Sequence, residues 1–301
     1  MTIQNIPHSA PATVQANGIE IVYDTFGEAG ASPLLLVSGL GQQLIGWDEG
    51  FCTQIAGRGY RVIRYDNRDV GLSTRFDDAG VPNIPALAQA AMQGQAIESP
   101  YTLRDMADDA VGLLDALEIE SAHVVGASMG GMISQTMAIH HPQRVSTLTS
   151  IMSTTGDRSL PPGKPEAMAV LSTPAPTDRA AYLDHAVRTW RVFNGPGFPF
   201  DEARTRERAA RAFDRGLSPD GAARQLVAVM ASGSRKEALK SVAIPTLVIH
   251  GDGDTLVTVE GGIDTANSIP GAELMIVEGM GHELPPLAWP QIIDAIARHA
   301  V

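Results

Sequence analysis

The 301-residue sequence is poor in cysteine and in basic residues, and each shortage excludes a class of protein. Its single cysteine, Cys52, cannot form an intramolecular disulfide, and no Cys/His spacing typical of a zinc site is present. Lys and Arg number 22 against 34 Asp and Glu, which gives a net charge of -12. Because a polyanion is bound by a basic surface, this charge argues against nucleic acid or an anionic membrane as a partner.

Long apolar runs are also missing. No segment approaches about 18 uninterrupted apolar residues, and residues 1–8 have neither the basic region nor the apolar stretch of a signal peptide. The sequence therefore predicts a cytoplasmic protein, either a monomer or a homodimer. With 44% hydrophobic and 19% charged residues, the chain has the composition of a globular protein with a sizeable core.

Short apolar runs alternate with helical patterns along most of the chain. Strands are predicted at residues 14–16, 19–23, 33–37, 61–65, 122–125, 145–152, 245–249 and 272–277. The first two flank Asn17-Gly18, a pair suited to a type I′ hairpin turn. The later alternation predicts a mostly parallel sheet with helices on both faces, including a helix over 102–114.

Two segments interrupt this alternation. Residues 77–100 contain three prolines and form one insertion. The longer insertion holds helical patterns at 180–192, 202–214 and 221–230, and the Pro/Gly-rich stretch 194–199 separates the first two because it cannot continue a helix. We therefore expect an α/β core formed by residues 1–153 and 241–301, with a helical lid at residues 154–240.

A Gly-Ala-Ser-Met-Gly pentapeptide at 126–130 lies between a predicted strand and a predicted helix. In such a tight turn Ser128 is forced outward, and the helix N-terminus stabilises negative charge beside it. This context predicts a serine nucleophile. The alternative is an ordinary strand-to-helix turn in which Ser128 is only the N-cap residue.

A serine nucleophile needs an imidazole base and a carboxylate that orients it, and the sequence offers both. Asp254 follows the strand at 245–249, and His282 follows the strand at 272–277 in a glycine-containing loop. The order Ser, Asp, His, each beyond an apolar strand, is that of the α/β-hydrolase triad. We predict Ser128 as nucleophile, His282 as base and Asp254 as acid.

Together with residues 34–40 and 62–73, these motifs resemble the α/β-hydrolase superfamily over nearly the whole chain. Within it, residues 64–73 and 122–131 are most similar to small bacterial esterases of the aclacinomycin methylesterase type. The resemblance implies an α/β-hydrolase fold, with a mostly parallel eight-stranded sheet, helices on both faces and an inserted helical lid. It also implies that no cofactor and no metal are needed.

The resemblance assigns further roles. The family pattern His-Gly-x-x-Asp, here at 250–254, favours Asp254 as the orienting carboxylate, with Asp252 as the alternative. If Asp254 has that role, Asp252 is a turn residue that accepts backbone N–H bonds. The oxyanion donors would be the backbone N–H groups of Leu40 and Met129. Relatives mostly have His-Gly where this chain has Ser38-Gly39, but the donors are main-chain groups and survive that change.

Substrate contacts are less defined by the sequence. Gln42 or Gln43 could reach substrate, although an exposed loop explains them equally well. Trp190 and Phe198 are predicted to line the pocket, although aromatic residues belong to the core by default. Asp66, Arg68 and Asp69 cluster just after the strand predicted at 61–65, and Ser73 is expected to assist them. They are expected to form a buried, hydrogen-bonded turn that positions the oxyanion loop.

These features predict a serine hydrolase that cleaves a small-molecule carboxylic ester through an acyl-enzyme. Methyl-ester cleavage on a polyketide, lactone opening, carbon-carbon bond hydrolysis and cofactor-free perhydrolysis use the same triad and stay open. Carboxylate-nucleophile chemistries of this fold are disfavoured because the nucleophile position holds Ser128. A non-enzymatic alternative is a small-molecule binding protein on the same fold.

Overall fold

The computed structural model describes residues 6–300, so part of the stretch examined for a signal peptide, residues 1–8, lies outside the described residues. Within 6–300, eight strands form one sheet in the order β1-β2-β4-β3-β5-β6-β7-β8. The strands are β1 Ala12–Ala16, β2 Ile19–Phe26, β3 Ser32–Val37, β4 Tyr60–Tyr65, β5 Ala122–Ala127, β6 Val145–Ile151, β7 Thr246–Gly251 and β8 Glu273–Val277. β2 is antiparallel to β1 and β4, and the other pairs are parallel. The predicted fold class is confirmed.

The β1–β2 hairpin turns as its sequence predicts. Asn17 and Gly18 have φ values of +49° and +78°. Two consecutive positive φ values are those of a type I′ turn, whose twist matches that of the flanking strands.

The central strands are buried on both sides. In β3, Leu35 and Val37 belong to one apolar cluster, whereas Leu34 and Leu36 belong to another. Successive side chains of a strand point to opposite faces, so these two clusters are the cores on either side of the sheet. Parallel strands covered on both faces are expected to be continuously apolar.

Helices cover both faces. They are α1 Glu49–Ala56, α2 Ile84–Met92, α3 Leu103–Ala116, α4 Met129–His140, α5 Pro165–Ser172, α6 Arg179–Phe193, α7 Glu202–Arg215, α8 Pro219–Ser232, α9 Lys236–Leu239, α10 Val259–Ser268 and α11 Trp289–His299. Apolar residues of α3 and α4 pack into one core, and those of α1 and α11 into the other. Across residues 6–300, none of the helices has the length and apolarity needed to span a bilayer.

The predicted helices of the longer insertion match α6, α7 and α8 closely, whereas α5 and α9 were not anticipated. Asp178 and Asp201 accept backbone N–H bonds at the starts of α6 and α7. These caps satisfy helix N–H groups that have no partner within the helix. The segment between β6 and β7 is therefore helical along much of its length.

Candidate active site

Ser128 lies at the sharp turn between β5 and α4. Its φ is +55°, a region that residues other than glycine seldom occupy. The turn requires small neighbours, because a Cβ on Gly126 would overlap the Gly130 carbonyl and a Cβ on Gly130 would overlap that of Val37. The glycines therefore allow β3, β5 and α4 to approach each other, while the strained backbone directs the serine side chain outward.

His282 and Asp254 meet Ser128 at this turn. His282 Nε2 lies 2.9 Å from Ser128 Oγ, and His282 Nδ1 lies 2.7 Å from Asp254 Oδ2. These distances are within hydrogen-bond range. The structure thus brings together three side chains that the sequence places on three different loops, 126 and 28 positions apart in chain order.

Asp254 is a buried carboxylate with its other oxygen also in use. Oδ1 accepts the backbone N–H groups of Leu256 and Val257 at 2.8 and 2.9 Å. Burial alone would raise the pKa of Asp254, but the charge of His282 and hydrogen bonds from His250 and His282 outweigh it. The pKa therefore lies well below its usual range, and the carboxylate is charged where it faces the imidazole.

Asp252 occupies a different position. Its Oδ1 accepts the Gly279 backbone N–H at 2.6 Å, which ties the turn after β7 to the loop that precedes His282. The structure therefore places Asp252 in a turn and not beside the imidazole.

The loop after β3 runs alongside the nucleophile. A Cβ on Gly39 would lie 3.3 Å from Ser128 Cβ, so residues 38–41 and the turn are in close apposition. Met129 is the first residue of α4, where a backbone N–H has no helical partner. Met129 thus follows Ser128 in the chain, and Leu40 follows Gly39 in the apposed loop and lines the same cavity as Ser128.

A cavity of about 720 Å³ opens over Ser128 and His282. Leu40, Gln42 and Trp190 all line it, and most of its wall is apolar. A cavity of this size matches those that enclose drug-sized ligands.

Two other predicted contacts lie elsewhere. Phe198 packs against the core cluster that contains α1 and α11 and is not among the residues that line this cavity. The reason is the turn between α6 and α7: the Gly197 N–H donates to the Gly279 carbonyl at 3.0 Å, which holds the turn against the histidine loop. Gln43 is buried, and its Nε2 donates to carbonyls at the end of α7.

The last residue of α6, Phe193, supports His282 directly. The His282 N–H donates to the Phe193 carbonyl at 2.8 Å, and the Phe193 ring meets the imidazole edge-on with centroids 5.8 Å apart. The inserted segment therefore holds the imidazole as well as covering the site.

Sequence reasoning missed several residues of the cavity wall. Arg208 of α7 lines it and stacks over Trp190 with 5.4 Å between its guanidinium carbon and the ring centroid. Glu283 also faces the cavity, and burial raises the pKa of its carboxyl. The insertion at 77–100 contributes residues 81–85 to the same wall. In the sequence, charged residues of an amphipathic helix such as α7 have the pattern of a solvent-exposed face, so no local signal indicated that Arg208 lines the cavity.

Comparisons with known proteins agree with this architecture. The alpha/beta hydrolase fold family matches residues 32–286. The chain is 30% identical over 293 residues to rhodomycin D methylesterase DauP of Streptomyces sp., covering 91% of this chain and 92% of that protein. It is 28% identical over 290 residues to 3-oxoadipate enol-lactonase 2 of Acinetobacter baylyi, covering 95% and 96%.

Among solved structures, the meta-cleavage product hydrolase CumD of Pseudomonas fluorescens superposes with a TM-score of 0.74 at 20% identity, covering 96% of each chain. At that identity the likeness concerns the fold. With the family match over most of the chain and the full-length sequence similarity, the chain belongs to the alpha/beta hydrolase family of enzymes.

Proposed function

We propose that the protein hydrolyses a carboxylic ester of a small molecule, with Ser128, His282 and Asp254 as the catalytic triad. The observation that carries this proposal is the continuous hydrogen-bonded series from Asp254 through His282 to Ser128, with distances of 2.7 and 2.9 Å. It faces a cavity large enough to enclose a substrate. Relatives named methylesterase and enol-lactonase support an acyl-transfer reaction at a carbonyl.

The first step forms the acyl-enzyme. Ser128 Oγ attacks the ester carbonyl while His282 Nε2 takes the hydroxyl proton, and Asp254 stabilises the resulting imidazolium. The carbonyl oxygen becomes an oxyanion that accepts the N–H groups of Leu40 and Met129. When the tetrahedral intermediate collapses, the ester C–O bond breaks and the alcohol leaves with the proton from His282.

The second step releases the acid. His282 takes a proton from water, and the resulting hydroxide attacks the acyl carbon. The acyl bond to Ser128 Oγ then breaks, and the proton returns from His282 to the serine. One water is consumed, and one carboxylic acid and one alcohol are produced.

The cavity favours a bulky ester. At about 720 Å³ it is far larger than a simple acetate requires, and Trp190 and Trp289 provide flat apolar surfaces along its wall. Helices α5 to α8 contribute most of the side of the cavity opposite the sheet, which supports the assignment of residues 154–240 as a cap over a core formed by 1–153 and 241–301. A lactone is the second candidate substrate, favoured by the similarity to an enol-lactonase along 95% of this chain.

Ester hydrolysis by wild type and Ser128→Ala tests the proposal. p-Nitrophenyl esters from acetate to palmitate, followed by methyl esters of polycyclic aromatic acids and a lactone panel, should identify a substrate class that wild type turns over. Ser128→Ala should reduce kcat by at least about 10³-fold, because the hydroxyl nucleophile is gone. Turnover that survives in Ser128→Ala contradicts the assigned nucleophile, and binding without turnover across the panel favours the binding-protein alternative.

A further inference from the structure

Helix α8 contacts the loop after β3 through one buried side chain. The Gly41 backbone N–H donates to Gln225 Oε1 at 2.8 Å, although the two residues are 184 positions apart. Gln225 is fully buried, and its Nε2 donates to the Arg68 carbonyl at 2.8 Å. This amide therefore joins the loop after β3 to the turn after β4.

The backbone at Gly41 is suited to this contact. Its φ is +65°, a conformation that favours glycine. A Cβ on Gly41 would lie 3.2 Å from the Cβ of Ala222, which precedes Gln225 on the same side of α8. The loop therefore approaches the helix closely enough for the Gln225 hydrogen bond to fix the Leu40–Gly41 peptide.

Other hydrogen bonds hold the rest of the loop. Asn67 Nδ2 donates to the Ser38 carbonyl at 3.1 Å, and Asp66 Oδ1 accepts the Leu44 N–H at 2.7 Å. Gln43 is bonded to the end of α7. Between these fixed ends, the hydrogen bond to Gln225 restrains the segment that carries the Leu40 N–H.

Helix α8 is itself secured to the core. Arg224 donates to both oxygens of Asp69 at 2.6 and 2.9 Å, and both side chains are buried. Burial raises the pKa of Asp69, yet hydrogen bonds from Arg224 and Tyr101 hold it below its usual value. Separating a buried ion pair is costly, so α8 stays docked on the core.

We propose that Gln225 is a positioning residue for the oxyanion hole. Its bond to the Gly41 N–H fixes the Leu40–Gly41 peptide, while the bond from Asn67 to the Ser38 carbonyl fixes the Ser38–Gly39 peptide. The Gly39–Leu40 peptide between them is thereby restrained, and its N–H, the Leu40 donor, is aimed at the oxyanion. Although α8 is inserted between β6 and β7, it functions as a fixed part of the catalytic core. This inference rests on the proposed function, because that function assigns the donor at Leu40.

A misdirected oxyanion donor stabilises the transition state less but affects substrate binding little, because charge on the carbonyl oxygen develops only during the reaction. In Gln225→Met, which keeps the side-chain length but removes both hydrogen bonds, kcat for p-nitrophenyl acetate should fall about 10- to 100-fold with KM changed less than about 3-fold. The affinity for an alkyl boronic acid, which adds to Ser128 Oγ as a tetrahedral anion, should fall by a similar factor.

Gln135→Met is the matched control. Gln135 is also fully buried and bonds to Ser150 and Arg235, away from the loop after β3. It should lose comparable thermal stability while keeping kcat and boronic acid affinity near those of wild type. Gln225→Asn, which is too short to reach both partners, provides a second variant if Gln225→Met does not fold, and it should show the same selective loss of kcat.

Wild-type kcat and boronic acid affinity in a folded Gln225 variant would overturn the inference, as would equal losses in Gln135→Met. Boronic acid binding requires no turnover. Absence of turnover across the ester panel would refute the proposed function. The role of Gln225 would still be decided, because the boronic acid affinities of the variants can be compared without turnover.

Discussion

Replacing Asp254 by asparagine should abolish turnover while preserving the fold, because the structure dictates how the new amide would be oriented. Oδ1 accepts the N–H groups of Leu256 and Val257, so only the amide oxygen can occupy that position. The NH₂ group must then replace Oδ2, which lies 2.7 Å from His282 Nδ1. An amide donor there requires Nδ1 to accept, and this places the imidazole proton on Nε2, facing Ser128.

An imidazole protonated at Nε2 cannot take the serine proton. When the triad aspartate of a chymotrypsin-type serine protease is replaced by asparagine, the wrong imidazole tautomer lowers kcat about 10⁴-fold, which raises the activation free energy by about 5 kcal/mol. We expect a similar loss for Asp254→Asn. The hydrogen bonds to Leu256 and Val257 persist, so the thermal midpoint should fall only slightly.

The assay compares kcat for the best p-nitrophenyl ester in wild type, Asp254→Asn and Asp252→Asn. Asp252 accepts one N–H through Oδ1, and an amide oxygen can do the same, so Asp252→Asn should stay within about 3-fold of wild type. If Asp254→Asn kept more than about a tenth of the activity, or if Asp252→Asn lost as much, the assignment of the orienting carboxylate would be wrong.

Three further predictions concern stability and substrate size. Gly130→Ala should lower the free energy of unfolding, measured in urea, by about 3 kcal/mol or more, because the added methyl would overlap the Val37 carbonyl. Its control is Gly30→Ala, which has nothing within 4 Å of the added methyl and should change that free energy by less than about 0.5 kcal/mol. Arg224→Met should lower the free energy of unfolding by about 3–5 kcal/mol, because it leaves the Asp69 carboxylate buried and charged without its partner. An unchanged urea midpoint would show that this ion pair contributes nothing to stability. Trp190→Ala should lower kcat/KM for bulky esters about 10-fold or more, while kcat/KM for the acetate ester stays nearly unchanged. Phe198 lies outside the cavity wall, so Phe198→Ala should show no such dependence on substrate size.

Local chemistry explains what could be predicted from the sequence. The hairpin at Asn17-Gly18, the Ser128 turn and the strands followed by Asp254 and His282 are all encoded within a few neighbouring residues. Apolar runs specify strands, and glycines specify where the chain can turn. The resemblance to the family then fixed the fold, and the family match confirms it.

Contacts between distant segments could not be predicted in this way. Phe198 has the aromatic character of a pocket residue, yet the turn between α6 and α7 packs it against the core, outside the cavity wall. Arg208 has the pattern of an exposed helix face, yet it lines the cavity. In both cases the tertiary packing, and not the local pattern, decides which side chains face the cavity.

The sequence by itself therefore determined the order of the strands along the chain, the serine turn and the candidate triad residues. Only the tertiary structure decided that Asp254 rather than Asp252 faces His282, and that Gln225 meets Gly41 from 184 positions away. The physical reason is that backbone propensity and apolar periodicity depend on residues that are close together in the sequence. Hydrogen bonds between distant segments exist only after the helices have docked on the sheet.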